Sequence, residues 1–114
     1  MDYQISHSTV SQPLKCVGWF GCTRTDLPAL QNSAVSIVSI QQCVFQPGGG
    51  REFRGAHGET LVYVRSGQIS IRTQEEQTIL SVGDVIHLMS SCAYGLLNES
   101  AQICALLIIR CKSV

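Results

Sequence analysis

The chain has 114 residues, 45% of them apolar and only 14% charged, with eight Lys and Arg set against eight Asp and Glu. That length suits one domain able to bury a core, and a charged fraction well below the usual ~25% excludes a disordered chain. A formal net charge of zero removes the electrostatic footprint of a nucleic-acid or anionic-membrane binder, and its low self-repulsion favours association into a homo-oligomer.

The first residues, Met1 to His7, show neither the basic nor the apolar region of a signal peptide, so a cytoplasmic location is expected. Residues 1–34 read as an irregular lead-in segment broken by Pro13, Gly18, Gly21 and Pro28, with Trp19-Phe20 as its apolar anchor. Asp26 as a cap and Pro28 in a first turn predict a short peripheral helical turn over Asp26 to Gln31. From residue 35 to 114 short β-forming runs alternate with turn residues. Val35 to Gln46 is followed by a Pro47-Gly48-Gly49-Gly50 turn, then come Thr60 to Arg65, Gln68 to Arg72, Gln77 to Val82, Val85 to Met89, Tyr94 to Leu97 and Gln102 to Arg110. No run sustains a 3.6-residue period, which predicts an all-β sandwich or barrel. Ile103 to Ile109 is far short of the ~20 apolar residues a membrane span needs, and reads as a buried strand. Apolar residues on both of its faces call for a second covered surface, and a homodimer is expected there. Six cysteines without a Cys-x-x-Cys pair or an export signal read as thiols, mostly buried, and not as a zinc ribbon or a redox pair.

Two segments carry a specific resemblance. Pro47-Gly48 with Thr60-Leu61-Val62-Tyr63-Val64-Arg65-Ser66-Gly67, and Gly83-Asp84-Val85-Ile86-His87-Leu88 with Tyr94-Gly95 and Asn98, resemble the two motifs of the cupin superfamily. The resemblance covers about residues 35–110 and implies a single-domain jelly-roll barrel with a ligand site at its mouth.

In metal-binding cupins the first motif supplies two His and a Glu, and the second a further His. Counting back from Gly67 puts Arg54, Ala56 and Thr60 at the first three of these positions, and Tyr94 stands at the fourth. Thr and Ala do not hold a divalent ion, and a guanidinium repels one. The resemblance therefore implies a pocket of another chemistry. Arg54 would clamp an anion and Tyr94 would act as acid or base, its phenol lowered in pKa by the nearby cation, with Thr60, Val62 and Leu96 lining the substrate site. A one-residue slip across positions 53–59 would instead turn Arg54 to solvent. A rebuilt metal site would draw on His57, Glu59 and His87 for Fe, Zn, Mn or Ni, but strand alternation turns Glu59 and His87 away from the interior.

Three readings follow. The leading one is a metal-independent isomerase, cyclase or lyase, without cofactor, acting on a small acidic or enolisable molecule. The others are a metal-dependent dioxygenase or isomerase with non-standard ligands, and a non-catalytic ligand-sensing or structural cupin.

Overall fold

The computed structural model describes residues 12–13, 18–27, 37–56, 58–89 and 92–111. Among them the strands are β1 (Gln12–Pro13), β2 (Trp19–Leu27), β3 (Ile37–Gly55), β4 (Thr60–Ser66), β5 (Gln68–Arg72), β6 (Gln77–Ser81), β7 (Val85–Leu88), β8 (Ala93–Leu97) and β9 (Cys104–Cys111). Every pairing is antiparallel. The strands hydrogen-bond in the order β6-β5-β8-β3-β9-β4-β7, while β2 also pairs with β3 and carries β1 on its other side. This path curls into the nearly closed all-β barrel that the alternating pattern predicts. The described residues contain no helix long and apolar enough to cross a membrane.

Two local expectations change. Asp26 and Leu27 are the last residues of β2, paired across to Gln41 and Ile40 of β3, so the helical turn does not begin at Asp26; residues 28–31 lie outside the described set. Likewise Pro47-Gly48-Gly49-Gly50 does not end a strand. β3 runs straight through it for 19 residues. The physical reason is crowding. A Cβ on Gly49 would sit 2.3 Å from the Gly21 carbonyl oxygen, and one on Gly50 would sit 2.1 Å from that of Leu96. The glycines thus let β3 pass between two other backbones while Gly48, at φ 84°, bends it. Before the bend β3 pairs with β9, and after it with β8, so one strand belongs to both walls of the barrel.

Asn98 locks the bend. Its N–H donates to Gly49 O and its carbonyl accepts from the Gly48 N–H, both at 2.8 Å. Its buried side chain donates to Phe45 O at 3.2 Å and Gln102 O at 2.8 Å, and accepts from Ser100.

Alternation sorts the side chains. In β4, Thr60, Val62 and Val64 are buried while Tyr63 and Arg65 are exposed; in β9, Cys104, Leu106 and Ile108 are buried while Ala105, Leu107 and Ile109 are half-buried. The inward sets meet Phe45, Ile69, Ile71 and Leu96 in one core. The outward sets align in rows. Gln42, Leu107, Tyr63 and Val85 lie side by side across β3, β9, β4 and β7, and Ile40, Ile109, Leu61 and His87 form the next row. Glu75 and Glu76 are exposed in the β5–β6 hairpin, clear of the interior.

Candidate functional site

Tyr94 enters the interior from β8 and is 1% exposed. The guanidinium beside it belongs to Arg51, not to Arg54. Arg51 is 7% exposed, its guanidinium carbon 3.9 Å from the centre of the Tyr94 ring and 5.6 Å from that of Trp19. Trp19 in turn stacks on Phe45 at 6.0 Å. The result is a pile of rings with one cation between them, an arrangement worth on the order of 2 kcal/mol when desolvated.

Backbone oxygens hold the cation in place. Nη1 donates to the carbonyls of Tyr94, Arg54 at 3.2 Å and Glu52 at 3.4 Å, and Nη2 donates to Gly55 O at 3.1 Å. These carbonyls converge because the β3–β8 register shifts between Arg51 and Arg54. A bulge of this kind re-aims side chains, so Arg51 turns inward although strict alternation from Arg54, the residue paired with Tyr94, would turn it out. Arg54 is exposed at the rim, its side chain running past Gly18, where an added Cβ would come within 2.9 Å of it.

A third arginine completes the set. Arg110 of β9 stands directly across from Thr60 of β4, half-buried, and its charge acts on Tyr94, Arg51 and Cys43. Thr60 itself is 1% exposed, and its Oγ1 has no hydrogen-bond partner; the same holds for the buried Nε of Arg51. Val62 and Leu96, expected to line a substrate site, are buried in the hydrophobic core. Arg110 was legible in the sequence, since it shares the parity of Leu106 and Ile108. Arg51 was not, because only the bulge turns it inward.

Burial raises the Tyr94 phenol above its ordinary 10.0, more than the charges of Arg51 and Arg110 lower it. The sequence expectation was a lowered value. At neutral pH Tyr94 is a neutral phenol, a hydrogen-bond donor or acid but not a base. Burial, with the neighbouring Cys22 as a smaller cause, also pushes the Cys43 thiol to about 12, so it supplies no thiolate nucleophile.

His87 and Glu59 lie on the outside of the barrel. Their side chains are each 44% exposed and joined at 2.9 Å. His57 lies outside the described residues. Among the described residues no three His, Cys, Asp or Glu side chains come together. The groups around Tyr94 do not fit a divalent cation: a guanidinium fills the space beside the ring, a second cation acts on it, and the hydroxyl of Thr60 is neutral. An open cleft of about 240 Å³ lies along β5 and β8 between Phe20, Phe53, Leu97 and Arg72, and Arg51 is part of its lining; the Arg72 guanidinium is 4.8 Å from the Phe53 ring centre.

Comparison with known proteins bears on the fold. The protein Ylba from E. coli superposes with a TM-score of 0.76 at 21% identity over 93% of this chain, which spans only 43% of that protein. The cupin domain of Schizosaccharomyces pombe Cnp3 gives 0.74 at 9% identity, covering 92% of this chain and 69% of that one. A predicted oxalate decarboxylase from Thermotoga maritima gives 0.73 at 14% identity, covering 80% of each chain. No curated protein matches the sequence. A family model described as "Cupin domain" matches residues 41–110, well over half the chain, and takes in both motifs, the bend of β3 and Tyr94. The chain therefore belongs to the cupin domain family.

Proposed function

We propose that the protein is a small-molecule-binding cupin whose barrel holds an anionic ligand, a carboxylate or phosphate, through cationic and neutral donors without a metal. One observation carries this reading: a cationic interior that contains two buried polar atoms, Arg51 Nε and Thr60 Oγ1, without partners. A buried guanidinium is costly unless its charge and its donors are answered, and the oxygens around Arg51 are all neutral carbonyls. The charged groups acting on it, Arg110 and Arg54, are both positive, and Tyr94 stays protonated. An anion satisfies both the charge and the open donors.

Binding is favoured over turnover. Isomerase, cyclase or lyase chemistry on an acidic or enolisable molecule needs a base. The titratable groups that act on Tyr94 are two arginines and a thiol held protonated. Tyr94 can donate a hydrogen bond or a proton to a bound oxyanion.

Calorimetry with inorganic phosphate and with small mono- and dicarboxylates tests the reading. Binding is expected that weakens with added salt and falls about tenfold or more in Arg110→Ala, the loss appropriate to one charged contact of about 1.5–3 kcal/mol. Absence of anion binding, together with uptake of one Fe, Zn, Mn or Ni per chain, would overturn it in favour of a metal site.

A further inference from the structure

The cleft along β5 and β8 gathers side chains that the barrel interior does not use. β5 alternates: Ile69 and Ile71 lie in the core, while Ser70 and Arg72 face the other way. Ser70 stands across from Leu97 of β8, Leu97 across from Gly50 of β3, and Gly50 across from Phe20 of β2, so these residues share one row. Two irregularities bring rings to it. β2 shifts register between Phe20 and Cys22, at Gly21 with φ 60°, and Phe20 is left 43% exposed while Cys22 is buried. In β3 the shift between Arg51 and Arg54 that turns Arg51 inward leaves Phe53, two residues on, 36% exposed. Bulges re-aim side chains in this way and are enriched beside active sites.

Phe20, Phe53 and Leu97 thus give the cleft apolar walls, and the small residues Ser70 and Gly95 lie between them and leave the space open. Its polar side is equally defined. The Arg72 guanidinium is held 4.8 Å from the Phe53 ring centre, and among the described residues no carboxylate lies within ion-pair distance of it. Ser70 is 6% exposed, and its Oγ accepts from Gln77 Nε2 at 3.0 Å; among the described residues no acceptor takes its proton. An unpaired cation and a hydroxyl donor therefore meet beside two phenyl rings. A volume of about 240 Å³ falls below the ~300–1,000 Å³ of drug-sized sites and suits a single ring. We propose that this cleft binds a small aromatic carboxylate, with its ring between Phe20 and Phe53 and its carboxylate on Arg72 and Ser70. A guanidinium matches a carboxylate with two parallel hydrogen bonds, and offset or edge-on contacts with the phenyl rings add to the burial of the ligand. The proposal stands whether or not an anion occupies the barrel interior.

Titration calorimetry with benzoate, benzamide and acetate tests it, since benzamide lacks the charge and acetate lacks the ring. Benzoate is expected to bind about tenfold or more tighter than either. Arg72→Gln is expected to bring benzoate down to the level of benzamide, and Phe53→Ala to bring it down to that of acetate. Both side chains are exposed, so both variants are expected to melt close to wild type. Arg110→Ala, which weakens an anion held in the interior, is expected to leave benzoate binding unchanged. Benzoate bound no tighter than benzamide, an affinity indifferent to Arg72→Gln, or binding lost in Arg110→Ala instead would each overturn the proposal.

Discussion

Thr60 and Arg51 place an unsatisfied hydroxyl and an unsatisfied N–H inside a packed barrel, and such atoms are expected to lower stability in return for a role in binding. Replacing Thr60 by Val keeps the shape and removes the open hydroxyl. We therefore expect Thr60→Val to melt higher by about 1 kcal/mol equivalent in the ligand-free protein, and to bind anions more weakly. A loss of stability on that substitution would show that the hydroxyl is satisfied in solution. The same scale shows the reach of the sequence. Tyr94 and Thr60 follow from motif spacing, which holds even though the register of β4 against β9 shifts between Val64 and Ser66. What alternation misses is the bulge between Arg51 and Arg54, which lets Arg51 turn inward although Arg54 stands across from Tyr94. Alternation carries no mark of such a bulge, and the only trace left in the sequence is the run of glycines just before it.

At the scale of the element, the bend of β3 and the loop after β8 act as one unit through Asn98. Its side chain uses donor and acceptor together, all within buried or part-buried surroundings. Asn98→Ala leaves the carbonyls of Phe45 and Gln102 without that donor, and a loss of about 2–3 kcal/mol is expected in denaturant unfolding. A change below the error of the extrapolation would mean that the bend holds itself. Strand positions were legible because the β-forming runs are short and punctuated. The continuity of β3 was not, since Pro-Gly-Gly-Gly is the strongest turn signal in the chain, and only the close approach of Gly21 and Leu96 explains why the glycines serve crowding instead of reversal.

For the molecule as a whole, buried acids set the response to alkali. Cys43 and Cys104 are raised by burial from an ordinary 9.0 to about 12 and about 11, and Tyr94 is raised above 10.0. Below pH 9 both folded and unfolded chains keep these protons, and the stabilisation is complete. Above it the unfolded chain releases them while the folded chain does not, so stability is expected to fall steadily as pH rises through 9.0 to about 12. Urea titrations across that range check the slope, and a flat profile would contradict the burial of these groups. Under native conditions the half-buried Cys92 and Cys111 are expected to react with a thiol reagent well before Cys43 and Cys104. The passage of β3 through both walls has one more consequence. Both walls share β3, so opening either one disturbs the strand that also holds the other. Amide exchange along β3 should therefore report a single opening free energy on both sides of Gly48, and cutting the chain there would cost the molecule its cooperativity before it cost any side-chain contact.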